Sequence, residues 1–450
     1  MSDKPTPWTP FEPSGDDPWD IGKVAHLHRR AGLGADWREL QRDHKDGIAA
    51  SVERLLSPRA MTAEDRQILD SLRQGVLDSG DADRLKAWWL YRVLWDPDPL
   101  REKLTLFWHS HFATSNQKVG SIAQMVQQNE LLRRHALGSF ADLLAGIIAD
   151  PAMLVWLDGS GSKKEKPNEN FAREFLELFT LGPGRYTEKD IREAARAFTG
   201  WTIEGGKAKF QETGHDAGAK TFLKQKGAWK SADIVRITLE QPACAEFLCR
   251  KLYRYFVSET HDPERDLLLP LAQELRRHEY DIGHVVGVIL RSRHFYSREV
   301  RRQRIKSPVE YSAGLLRTLE VPRLDLRILA LTLACDRQGQ ELFHPPNVKG
   351  WDGGKTWLNS TTLLERGNWG NDIVWGNADY GLKPYDPLAW AKKNEIAPEK
   401  AADALADLLL QGDLDTNTRA LVRRAGRDGT ADGLRKAIQM LLHCPEYQLA

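Results

Sequence analysis

The sequence predicts an all-α protein, a large multi-helix globular body with long loops and a small β-hairpin near residues 201–212. Apolar residues recur at i, i+3, i+4 and i+7 through most of the chain, the period of an amphipathic helix. Glycine or Asp-Pro follows these stretches where a helix should stop. No repeat of about 20 to 50 residues is apparent, which argues against a solenoid.

Residues 1–20 carry Pro5, Pro7, Pro10, Pro13 and Pro18 with little to bury, and read as a disordered or draped tail. The main helical domain spans 21–384. In it IGKVAHLHRRAGLG runs to a Gly32/Gly34 stop, ADRLKAWWLYRVLWDPDP ends at Asp-Pro, and LREKLTLFWHSHFATS follows as a strongly apolar helix. PNENFAREFLELFTLG, residues 167–182, starts at Pro167-Asn168 and closes at Gly182-Pro183. Phe171, Phe175, Leu178 and Phe179 form its core stripe, while Asn170, Arg173, Glu174 and Glu177 share the opposite face. Thr187, with Asp190 three residues on, opens the next helix, and Gly200 ends it.

Helical periodicity then fails over about 201–230, where Gly205-Gly206 between TIE and KAKF is a two-residue hairpin signal. It resumes at about 232 with CAEFLCRKLYRYFV, LLLPLAQELRRH, IGHVVGVILRS and SPVEYSAGLLRTLE. A glycine-rich loop interrupts it at 343–360. Residues 385–450 read as a C-terminal helical subdomain packed on the main body.

With 64 Lys+Arg against 63 Asp+Glu, the formal charge is +1, so no global field points to nucleic acid or an acidic membrane surface. Cys244, Cys249, Cys335 and Cys444 form no CxxC pair and read as reduced thiols. The polar, acidic amino terminus lacks a basic n-region and an apolar h-region, which predicts a cytoplasmic chain. LADLLAGIIADPAMLVWLDG is broken by Asp142, Asp150 and Pro151, so no membrane span is expected. Fifteen tryptophans suit both core packing and flat ligand platforms.

Chemistry-bearing residues gather in four places. In FWHSHFATS, His109 and His111 lie about 200° apart on a helix and share one ion only if the helix ends or distorts there. Glu174 and Glu177, one turn apart, suit a divalent cation or a split acid–base pair, and Arg173 suits an anionic substrate. QETGHDAGAKTF offers His215 and Asp216. FHPPNVKGWDGGKTWLN offers His344, Asn347, Lys349, Trp351 and Trp357 on a loop whose glycines permit close approach to a ligand. The chain has no HExxH, GxSxG or Walker A motif and no complete GxGxxG turn. Glutamates on one helix with histidines in three segments point to a divalent-cation site, with Zn²⁺, Mn²⁺ or Fe²⁺ as candidates.

FWHSHFATS, PNENFAREFLELFTLG, RAFTGWT, HDAGAKTFL, IKSPVEY and FHPPNVKGWDGGKTWLN together resemble the bacterial family catalogued as domain of unknown function 1800, over roughly residues 22–445. The resemblance implies a helical protein, often encoded beside one of the alkaline-phosphatase and sulfatase type, which hints at sulfated or phosphorylated polymers. Many such relatives carry an export signal. It further implies that Asn168, Asn170, Arg173, Glu174 and Glu177, with His109, His111, His215 and His344, belong to the site.

The leading expectation is a metal-assisted hydrolase acting on an anionic ester or glycan. Glu174, Glu177 and Arg173 are its catalytic candidates. The histidines and Asp216 are its metal ligands, while Asn168, Asn170, Asn347, Lys349, Trp351 and Trp357 bind substrate. An alternative is a non-catalytic glycan- or protein-binding protein in which the same polar residues form a structural network. A third is a helical iron or haem redox enzyme, for which no CxxCH attachment is present.

Overall fold

Helix starts follow the short polar side chains. In the computed structural model, which describes residues 6–260, 262–323, 326–411 and 414–450, Thr187 and Ser307 each accept the backbone N–H three residues on. Asp190 and Glu310 return the bond, so both helices begin in a reciprocal cap. Among the described residues there are 22 α-helices and two small antiparallel hairpins, as an all-α pattern requires. A single connected apolar cluster runs from Trp8 to Tyr447. Trp88, Trp89 and Trp108 are wholly buried in it, so many of the tryptophans pack the core.

Residues 6–20 drape over the body. Trp8, Phe11 and Trp19 are buried; Trp8 Nε1 donates to the Leu267 carbonyl at 2.7 Å and Trp19 Nε1 to that of Asp43 at 3.0 Å. Residues 1–5 of the expected tail lie outside the described residues.

The segment 168–182 differs from the regular helix expected there. It is α-helical only over Glu169–Glu174 and becomes a π-helix over Phe175–Thr180. Leu181 and Gly182 N–H both reach back to the Leu176 carbonyl, at 2.8 and 3.2 Å, and Thr180 Oγ1 donates to Phe175 O at 2.6 Å. The wider turn lets Phe175, Leu176, Phe179 and Thr180 all face the interior. Because π-turns share most of the apolar spacing of an α-helix, the periodicity did not distinguish them.

The hairpin at Trp201–Glu204 and Lys207–Phe210 forms as expected, with Gly205 and Gly206 at φ 57° and 76° in its turn. A second hairpin, Lys220–Phe222 with Gln225–Gly227, was not expected. Leu223 and Lys224 take φ 44° and 69° without any glycine to announce it. The preceding helix supports the turn: Asp190 Oδ1 accepts from Leu223 N at 2.8 Å and Glu193 Oε2 from Thr221 N at 2.7 Å.

The helices Pro387–Lys393, Ala401–Leu410 and Thr416–Ala425 pack around the final one, Ala431–His443, which also lies along Ser360–Trp375. The chain end returns to the body, where Ala450 N donates to Arg304 O at 2.8 Å. No helix among the described residues is long and apolar enough to cross a membrane.

Charges are also built into the interior. Glu310 pairs with Lys103 and, at 3.2 Å, with Arg304, and all three are buried. Burial alone opposes ionisation of Glu310, but Arg304 and Lys103 outweigh it and hold the carboxyl well below its ordinary range. Glu310→Gln removes the counter-charge of Lys103 and leaves Arg304 only Glu259, 3.9 Å away. Urea denaturation should then show a loss of about 3–5 kcal/mol, against under 1 kcal/mol for a surface change such as Glu212→Gln.

Candidate functional site

The wide turn at the end of the π-helix is where the site begins. Its last carbonyls have no partner within the helix and point into the protein, so donors must come from elsewhere. His111, at the carboxyl end of the helix Pro99–His111, donates from Nε2 to Phe179 O at 3.1 Å. Lys251, on the helix Pro242–Phe256, donates from Nζ to Leu178 O at 3.1 Å and to His111 Nδ1 at 3.0 Å. The imidazole is thereby fixed as the Nε2–H tautomer, because Nδ1 must accept. Burial and the neighbouring Lys251 keep His111 neutral, its pKa well below the ordinary value.

Burial, with the Arg254 guanidinium adding to it, pushes the Lys251 amine down to about 7. A neutral amine has two N–H bonds, and here both are spent, on His111 Nδ1 and Leu178 O. Its lone pair takes the remaining tetrahedral direction. Lys251 lines a cavity of about 550 Å³, within the usual range of about 300–1,000 Å³ for small-molecule sites.

Four parts of the chain supply most of the cavity wall. Ser110 and His111 come from the first helix, Glu177 and Leu178 from the π-helix, and Phe247, Lys251, Arg254 and Tyr255 from the third helix. Lys349, Trp351, Asp352 and Trp357 come from the glycine-rich loop. Gly350 seats that loop: at φ 83° a Cβ there would lie 2.3 Å from Ser110 O, so only glycine permits the approach. Arg304 and Glu259, also on the wall, lie 3.9 Å apart. Arg254 and Lys349 are exposed on the rim with no ion-pair partner within 4 Å among the described residues.

Of the candidates read from sequence, His111, Glu177, Lys349, Trp351 and Trp357 line this cavity. Glu177 accepts from Tyr186 Oη at 2.9 Å. Glu174 is half-buried close by; burial and the Glu177 carboxylate raise its pKa, while Arg173 and Lys349 oppose the rise. Arg173 itself is engaged outside, in a two-point pair with Glu188 at 2.9 Å for both contacts.

The remaining candidates serve local structure. Asn168 caps its helix by accepting from Asn170 N at 2.8 Å, and its amide reaches Leu157 O and Asp158 O; Asn170 is exposed. Asn347 accepts from Lys349 N at 2.8 Å, turning the loop. His109 Nε2 accepts from Phe343 N at 3.1 Å, and burial, with His344 beside it, pushes its pKa down to about 3. His344 Nδ1 lies 3.0 Å from a Glu341 oxygen. His215 Nδ1 donates to Thr199 O at 3.0 Å, and Asp216 pairs with Arg196 at 2.7 Å, against the first hairpin. An ion taken by His109 or His111 would have to displace one of these hydrogen bonds. Among the described residues, His109, His111, His215, Asp216 and His344 do not bring three donor atoms within 4.8 Å of one another.

Lys251, Arg254, Phe247 and Tyr255 were read from the sequence only as helix periodicity. The available signal was a stripe at i, i+4, i+7 and i+8, Phe247-Lys251-Arg254-Tyr255, that mixes cations with aromatic rings beside the buried Leu248 and Leu252.

A protein-family model described as protein of unknown function (DUF1800) matches residues 26–449. No curated protein and no solved structure matches the chain.

Because only the neutral amine is nucleophilic, acylation of Lys251 by a water-soluble anhydride should rise through a midpoint near pH 7, read by peptide mass spectrometry. A free lysine in a model peptide, by contrast, follows a midpoint about three units higher, near 10.4.

Proposed function

The chain belongs to the DUF1800 family of proteins of unknown function, and from the cavity we propose that it binds a saccharide carrying a phosphate, sulfate or carboxylate group, with Lys251 as proton acceptor. The observation that carries this reading is the Lys251 amine, tied by both N–H bonds to His111 Nδ1 and Leu178 O while lining the cavity. A base with a pKa near working pH transfers protons most efficiently.

The rest of the wall suits the same ligand class. Arg254 and Lys349 offer charge to an anion, Arg254 through a planar fork that matches phosphate and sulfate oxygens. Glu177 and Asp352 accept hydrogen bonds from hydroxyls, and Trp351 and Trp357 give flat faces for a sugar ring. A phosphatase- or sulfatase-like protein working beside it, which the family resemblance implies, fits a substrate bearing such an ester.

Aromatic faces on the wall also favour a plainer role, recognition of a glycan without chemistry. Titration calorimetry separates these readings from their failure. Glucose 6-phosphate, glucose 6-sulfate and glucuronate should each bind at least tenfold more tightly than glucose. Arg254→Met and Lys349→Met should each weaken the charged ligands by about tenfold, equivalent to about 1.4 kcal/mol. Charged ligands recovered unchanged after long incubation at pH 8 would assign the cavity to recognition alone; equal affinity for all four sugars would contradict the anionic reading.

A further inference from the structure

A second constellation lies at the turn between the helices Arg265–Arg277 and Ile282–Arg291, away from the residues used above. Glu274 and His278 are four residues apart on the last turn of the first helix and its cap, so they share a face. The chain then reverses through Glu279 and Tyr280 at φ 52° and 62°, a left-handed conformation that non-glycine residues rarely adopt. Tyr280 is held there by its N–H to Leu275 O at 2.8 Å and its hydroxyl to Leu239 O at 2.6 Å. Asp281 caps the second helix on His284 N at 2.8 Å. The turn therefore lays His284 over His278.

We propose that Glu274, His278 and His284 form a binding site for a divalent transition ion of borderline softness, Zn²⁺ in particular. One donor atom from each lies within 4.8 Å of the other two. Glu274 Oε2 is 3.4 Å from His278 Nε2 and 3.3 Å from His284 Nε2. At 3.3 Å the His284 contact is a long hydrogen bond, and both separations lie beyond the usual range of about 2.7–3.2 Å for an N–H···O bond. They match the ligand-to-ligand edge, about 3.3–3.4 Å, of a tetrahedral ion with bonds of about 2.0–2.1 Å. The other Glu274 oxygen pairs with Arg277, which orients the carboxylate as an outer partner does in metal sites.

The two imidazoles stack with centroids 3.6 Å apart and planes 21° apart, an arrangement that two imidazolium cations would oppose. To aim both lone pairs at one ion, a ring must turn about its Cβ–Cγ bond. Side chains 44% and 34% exposed have solvent on one side into which a ring can turn as the stack opens. Glu274 and His284 also border a cavity of about 760 Å³, closed on one side by the draped Trp8, so water or a small anion has room to complete the coordination. Three protein donors with one open position is the pattern of an exchangeable rather than a closed zinc site.

The alternative is a half-buried carboxylate hydrogen-bonded to histidine with no ion between them. Zinc titration of the full untagged chain, dialysed against chelator and read with a competing chromophoric chelator at pH 7.5, separates the two. One equivalent should bind, and Glu274→Gln, His278→Ala and His284→Ala should each weaken it at least tenfold, with circular dichroism unchanged. His443→Ala, an exposed histidine elsewhere, should leave it intact. No stoichiometric zinc in the wild type, or wild-type affinity in the three variants, would overturn the proposal. Either result leaves the Lys251 cavity untouched.

Discussion

The site depends on the unpaired carbonyls at the end of the π-helix Phe175–Thr180. A helix end buried in protein must find donors there, and a carbonyl left unpaired in the interior costs roughly 1–3 kcal/mol. The donors that arrive are His111 and Lys251, each from a different helix. This one requirement joins the helices Pro99–His111 and Pro242–Phe256 to the π-segment. It also explains why a lysine sits among apolar neighbours, where a bare ammonium would be costly. The negative end of the helix and the His111 lone pair offset part of that cost, while burial and the Arg254 guanidinium hold the amine's pKa near 7.

Other parts of the fold bring charge and surface to that lysine. The loop after Phe343 reaches the helix end because Gly350 has no side chain to collide with Ser110, and it carries Lys349, Trp351 and Trp357 with it. Arg304 is held on one side by Glu310 and on the other by the returning chain end, so the carboxyl-terminal helices contribute to the wall at a distance. The buried Lys103–Glu310–Arg304 group thus steadies one side of the cavity wall.

Much of this architecture was legible in the sequence. The helix start at Thr187 and the glycine turn of the first hairpin followed from side-chain chemistry that acts over three or four residues. What was hidden depends on contacts distant in sequence. The second hairpin turns on Leu223 and Lys224, held by carboxylates of an earlier helix. The π-turn keeps its apolar residues at nearly helical spacing. In the site, Glu177, Lys349, Trp351 and Trp357 were anticipated and do meet at one cavity, whereas His109 and His215 are spent on backbone groups that no spacing rule reveals. Lys251 looked like one more basic residue on a helix, because its meaning comes from residues 111 and 178.

The most direct measurement is an NMR titration of the Lys251 amine, observed through its ¹³Cε and ¹⁵Nζ in lysine-labelled protein and assigned by Lys251→Arg, with and without saturating inorganic phosphate. A base facing an anion site should titrate near pH 7 in the free protein and shift upward when phosphate binds, because the anion favours the ammonium form. A titration near pH 10 that phosphate leaves unmoved would contradict both the poised amine and the anionic ligand.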